Sequence, residues 1–197
     1  MLIEHRGISP VIAETAWVAP TAVLSGNVSL GEGVRVLHGA VVSAEDGAIT
    51  IGENCVIMEH AIVRSRAAHP VTIGHSVMIG PHAHVNGATI GDEAFIATGA
   101  SLFPGSSFGA GAEARINAVV QVNTSVAPGV VVPIAWVVVG DPAQLFSPEQ
   151  HDEIWAVQRT LDFVGTVYGA EAGPTMREIM ASQSEFYGAH SDDRVID

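Results

Sequence analysis

The sequence predicts a mainly β protein: a parallel β-helix of hexapeptide repeats, followed by C-terminal α-helices. Three observations carry this reading. An aliphatic residue recurs every six positions over most of the chain; a small side chain follows four residues after each one; and glycine often comes directly after the aliphatic.

The period begins at Val18 and runs through Leu24, Leu30, Val36 and Val42. It resumes at Ile51, Ile57 and Val63, again at Ile73, Ile79 and Val85, and then runs from Ile90 to Val132. Within that last run only Phe108 and Ala114 are not Val, Ile or Leu. The small partners include Ala22, Ala40, Cys55, Ala61, Ala83 and Ala100, and the corner glycines include Gly31, Gly52, Gly74 and Gly80. A sheet strand alternates with period two and a helix with 3.6, and neither produces six. One large and one small inward residue per hexad suit a short strand and a tight corner, and three hexads close a coil of about 18 residues. Roughly six coils are expected. Cys55 falls on a small inward site and is expected to be a packing residue.

Two slips in register mark insertions. Val42 to Ile51 is nine positions instead of six, and Val63 to Ile73 is ten. The excess falls around Ala44 to Ala48 and around Ser65 to Pro70, and loops on a rigid scaffold often carry function. After Val139, Gly140-Asp141-Pro142-Ala143 ends the coil. Ser147-Pro148-Glu149-Gln150 has the form of a helix start, predicting a helix to about Phe163 with Ile154, Trp155 and Leu161 inward. Thr175-Met176-Arg177-Glu178 starts a second helix, expected to reach Tyr187. The predicted organisation is a β-helix domain over residues 1–146, a helical appendage over 147–187 and a flexible polar tail over 188–197.

Composition narrows the function. Of 197 residues 48% are hydrophobic but only 6% aromatic, so the core must be aliphatic. A formal charge of −13 argues against nucleic acid as a partner. The eight basic residues are all arginine, which excludes a Schiff-base lysine and a phosphate-loop lysine. No apolar run reads as a membrane span, no signal peptide is expected, and the single cysteine fits a cytoplasmic protein without an internal disulfide.

The opening Val18-Ala19-Pro20-Thr21-Ala22-Val23, the stretch Ile51-Gly52-Glu53-Asn54, the close Val139-Gly140-Asp141-Pro142-Ala143 and the helix leading to Tyr168 resemble the γ-class carbonic anhydrase-like branch of the hexapeptide-repeat proteins. The likeness runs from about Trp17 to Tyr168. It implies a left-handed coil and a homotrimer. It also implies a metal site held by three histidines at subunit boundaries, at positions that here carry Arg64, Pro81 and Asn86. None offers an imidazole, so family-type zinc binding and CO2 hydration are not expected. The family's glutamine–aspartate pair falls on Met58 and Glu59, and its arginine and aspartate on Ser43 and Glu45.

Histidines are nevertheless dense there. His60 and His82 each sit three residues past an inward aliphatic and are 22 positions apart, so they should stack on adjacent coils. His69 lies on the inserted loop and His84 two residues past His82. The expected site is therefore an altered intersubunit cleft formed by Glu59, His60, Arg64, His82, His84 and Asn86. It would take a small anionic, carboxylated or acyl ligand, with Arg64 supplying a forked contact. No cofactor is expected; zinc would enter only through a shifted site of His69, His82 and His84. A non-catalytic trimeric scaffold and a hexapeptide acyltransferase are the competing readings.

Overall fold

The computed structural model describes residues 1–171 and 173–196. Its body is a left-handed parallel β-helix with three faces. On the first face Leu2, Leu24, Val42, Val63, Val85, Leu102, Val120 and Val138 stack in register. Ile12, Leu30, Ile51, Ile73, Ile90, Phe108 and Val126 form a second column. Val18, Val36, Ile57, Ile79, Ile96, Ala114 and Val132 form the third. The predicted aliphatic positions from Leu24 to Val132 are buried in these columns, as are the small partners from Ala22 to Thr124. Each apolar layer is covered by the layers above and below, so burial repeats coil by coil.

The first face has ten strands, of which the two at its ends are antiparallel, leaving eight coil turns. The period of six pointed to roughly six. The difference lies at the ends. Strands Leu2–Glu4 and Val11–Ile12 form an opening turn, and Val137–Val139 closes the last. An insertion between Leu2–Glu4 and Val11–Ile12 conceals the first turn, because Leu2 pairs with Leu24, 22 positions on.

The insertions share one corner. His5 bridges Ile8, Arg66 bridges His69, and between these lies the turn after strand Val41–Ala44. Crowding here requires glycine at two flanking positions. Gly26 (φ +75°) would place a Cβ 2.3 Å from the Ala44 carbonyl oxygen, and Gly87 (φ +56°) one 2.6 Å from the His69 Cβ.

Three helices follow the coil: α1 (His151–Gln158), α2 (Phe163–Tyr168) and α3 (Met176–Tyr187). The helix expected to run to about Phe163 thus stops at Gln158, and a separate helix begins at Phe163. Asp162 takes a left-handed conformation (φ 49°) and accepts from the Gly165 amide, which caps α2 and breaks its continuity with α1. The helix start expected at Ser147 is also shifted: Gln150 precedes the first helical residue, and its side chain accepts from the Ser147 amide. Ile154 is buried as expected, but Trp155 is 55% exposed, because the short helix turns that side outward. α3 begins at the predicted start, where Thr175 and Glu178 form a reciprocal cap.

Of residues 188–197, read as a flexible polar tail, 188–196 fold back, and 197 lies outside the described residues. Gly188–Asp192 is a 3-10 turn, and Arg194–Val195 pairs antiparallel with Leu2–Glu4. Backbone pairing with an open sheet edge explains why a polar segment takes this place.

Candidate functional site

The inserted corner and α3 meet over the first face. Strand Ile62–Ser65 carries Arg64, in register with Ser43 on one side and Asn86 on the other. Arg64 donates to the Tyr187 hydroxyl at 2.5 Å and lies 3.5 Å from Glu45. Arg66 donates to Gln183 at 2.6 Å and to the same Tyr187 oxygen at 2.9 Å, and its guanidinium stacks on Phe186 at 3.7 Å. Glu45 is the carboxylate beside Arg64, and it has other partners as well: it accepts from Ser43 at 2.9 Å and meets His190 at 2.9 Å.

A cavity of about 230 Å³ opens beside the two arginines. Its floor holds Arg64, Arg66, His69, His84 and Asn86, and its roof comes from α2 and α3 through Phe163, Tyr168, Gln183 and Tyr187. Burial, reinforced by the charge of Arg64, lowers the His84 pKa below its ordinary value, so the ring is neutral at pH 7. Phe103 packs edge-on against it, with centroids 6.3 Å apart. The cavity therefore joins two fixed cations to a neutral imidazole, a set suited to holding an anion beside a proton acceptor.

Of the residues singled out from the sequence, Arg64, His69, His84 and Asn86 line this cavity. Glu59, His60 and His82 do not. They lie at a corner of the coil, where His60 and His82 adopt left-handed backbone (φ 58° and 56°) and their rings stack at 5.2 Å with 14° between planes. Within one chain His82 is thus turned away from His69 and His84, and among the described residues these three do not converge on one point. Pro81 lies on a separate apolar groove with Met58, Met78, Phe95, Ile116 and Ile134.

Sequence reasoning missed Tyr187, Gln183 and His190, which reach the site from over 100 residues away. Periodicity carries no signal for such contacts. Glu45 entered only as the counterpart of a family aspartate, although its place in an insertion was a usable clue.

No protein-family model matches the chain. It is 27% identical over 196 residues to γ carbonic anhydrase 1, mitochondrial, of Arabidopsis thaliana, covering 93% of this chain and 69% of that protein. It is 29% identical over 165 residues to γ carbonic anhydrase 2, mitochondrial, of the same plant, covering 78% and 57%. A hexapeptide transferase family protein from Anaplasma phagocytophilum superposes with a TM-score of 0.52 at 20% identity, over 96% of this chain and 94% of that one, a likeness of fold alone. The chain is thus similar over most of its length to γ carbonic anhydrases, and its coil has the left-handed β-helix fold built from hexapeptide repeats.

Proposed function

We propose that the chain forms a homotrimer whose intersubunit site binds a small carboxylated or acyl anion at the Arg64 cavity, in place of zinc-dependent CO2 hydration. The observation that carries this is the charge balance of the cavity. Arg64 and Arg66 meet at the Tyr187 hydroxyl beside the neutral His84, and of the two only Arg64 has a carboxylate, Glu45, within ion-pair distance among the described residues. An anion there gains two guanidinium contacts in a protein whose net charge of −13 otherwise repels it.

Zinc at the family positions does not fit these side chains. Arg64 and Asn86 are register partners; the first is a permanent cation bound to Glu45 and Tyr187, and the second offers a carboxamide. Self-association finds support in the groove at Pro81, where Met78, Ile116 and Ile134 leave apolar surface exposed. In a trimer of the kind the family resemblance implies, this corner of one copy meets the Arg64 cavity of the next. That would add Glu59, His60 and His82 to the site as acid–base groups.

Calorimetric titration with acetate and malonate tests the reading. One well-oriented charged contact contributes about 1.5–3 kcal/mol, so Arg64→Ala should weaken binding by about 10- to 100-fold. Unchanged affinity in that variant defeats the anion site. Light scattering at the monomer mass of 20.4 kDa defeats the shared cleft.

A further inference from the structure

Behind Glu45, on the side away from the Arg64 cavity, both chain ends converge. His5, in the inserted turn of the first coil, is 2% exposed, and its Nε2 has no hydrogen-bond partner. Its ring stacks on His190 of the 3-10 turn, with centroids 4.4 Å apart. Asp193 holds both rings from behind: one carboxylate oxygen meets His5 Nδ1 at 2.6 Å and the other meets His190 Nδ1 at 2.8 Å. Nδ1 of each imidazole is committed to the same carboxylate, which leaves Nε2 on both rings for another partner; that of His190 meets Glu45, which is 5% exposed, at 2.9 Å.

We propose that His5 Nε2, His190 Nε2 and a Glu45 carboxylate oxygen bind a first-row divalent metal ion, zinc by preference, with Asp193 orienting both histidines. One ring nitrogen of each histidine and a Glu45 oxygen lie within 4.8 Å of one another. Tetrahedral zinc with bonds of about 2.0–2.2 Å sets ligand atoms roughly 3.4 Å apart, so the His190–Glu45 pair opens slightly from its 2.9 Å contact as the His5 ring closes on the ion. Two neutral nitrogens and one carboxylate are a zinc-type donor set with a fourth position left for water. The carboxylate–histidine pairs made by Asp193 are the usual outer support of such a centre, fixing tautomer and ring direction. The buried, unpartnered Nε2 of His5 is the feature that needs a ligand, since a polar atom closed off from water is costly when unpaired. A cavity of about 430 Å³, lined by His5, Glu45, Asn27, Asp46 and Pro70, leads to it from solvent. Arg6, also on that wall, directs its guanidinium over the Phe186 ring. This site uses none of the residues at the family's metal positions.

The test is made on the full chain, stripped with a chelator and titrated with Co2+ and then Zn2+. One equivalent of Co2+ per chain is expected, giving visible ligand-field bands that Zn2+ abolishes. His5→Ala and His190→Ala should each lose stoichiometric binding. Asp193→Asn should weaken it by about 10- to 100-fold. A His69→Ala/His82→Ala variant should bind as the unmodified chain does. If the unmodified chain takes up no stoichiometric Co2+ or Zn2+, the cluster is only a clamp between the chain ends and the proposal fails, whatever the variants do. It fails equally if His5→Ala and His190→Ala keep the metal, or if binding is lost with His69 and His82 instead. Failure here leaves acetate binding at Arg64 untouched, because His5 and His190 do not line that cavity.

Discussion

The Arg64 guanidinium donates to the Tyr187 hydroxyl at 2.5 Å, joining the fourth turn of the coil to the end of α3 across 123 positions of sequence. Arg66 donates to the same oxygen, so one phenol anchors two cations and fixes the roof of the cavity. Tyr187→Phe removes that acceptor and keeps the ring against Arg64 and Arg66. Hydrogen bonds to charged donors contribute about 1.5–3 kcal/mol when buried, and partial exposure reduces this to about 1 kcal/mol. Hydrogen exchange should therefore show α3 opening more easily while the coil amides remain protected. Unchanged protection across residues 176–187 would sink the idea that Tyr187 holds the helix down.

His84 gives the cavity a pH signature. Its folded pKa lies below the ordinary 6.5, because burial first and Arg64 second oppose the imidazolium. The unfolded chain therefore binds a proton there that the folded chain refuses. Its contribution to stability is fully present above pH 6.5 and is lost as pH falls through the window below, down to the folded pKa. The slope from this one group cannot exceed about 1.4 kcal/mol per pH unit. Urea denaturation between pH 7 and 5 should give a shallower decline for His84→Gln than for the unmodified chain. His69 shares the cavity, so both proteins carry His69→Gln. Parallel pH curves would place the titration elsewhere.

The coil was legible because its cause is local and repeated. Leu24, Val42 and Val63 declare one column, and a slip such as Val63 to Ile73 shows up as a break in a regular count. The first turn was not legible, since Leu2 and Ile12 stand on either side of an insertion and too few repeats precede it to set a register. Trp155 was placed inward from helix phase alone, yet α1 is too short to impose a buried face. For the site, Arg64, His84 and Asn86 were legible as neighbours because coil register places them, and His69 because the inserted loop that carries it follows Arg64 directly. Tyr187 and Gln183 reach the two arginines, and His5 and His190 reach each other, only through the fold of the chain ends, which no spacing encodes.

Cys55 should be unreactive in the folded protein. Burial raises its thiol pKa, a tendency that the Val77 and Ser76 amides only partly offset. The S–H donates to the Gly74 carbonyl at 3.0 Å and the side chain is fully buried. Low thiolate content and closed access both slow attack on disulfide reagents. Labelling with Ellman's reagent should be negligible in buffer and complete in denaturant. Rapid labelling of the native protein would mean that the coil opens locally at residues 52–56.

Gly39 and His60 allow the coil corner to be tested from the opposite direction. Gly39 has φ +72°, and a Cβ there would lie 2.4 Å from Nδ1 of the His60 ring, which stacks in turn on His82. Gly39→Ala therefore combines two penalties. A left-handed backbone with a side chain costs about 1 kcal/mol, and displacing His60 forfeits a ring stack of about 0.5–1.5 kcal/mol. The expected loss is roughly 2 kcal/mol by urea denaturation. In a His60→Ala background the ring is already gone, and only the backbone penalty of about 1 kcal/mol should remain. The difference between the two backgrounds measures the ring displacement as a coupling energy between residues 39 and 60. Equal losses in both backgrounds would show that the His60–His82 stack contributes nothing to the corner. The same pair then reports on the proposed trimer: if His60 of one copy serves the Arg64 cavity of another, Gly39→Ala should also weaken acetate binding. That loss should vanish when trimer assembly is prevented.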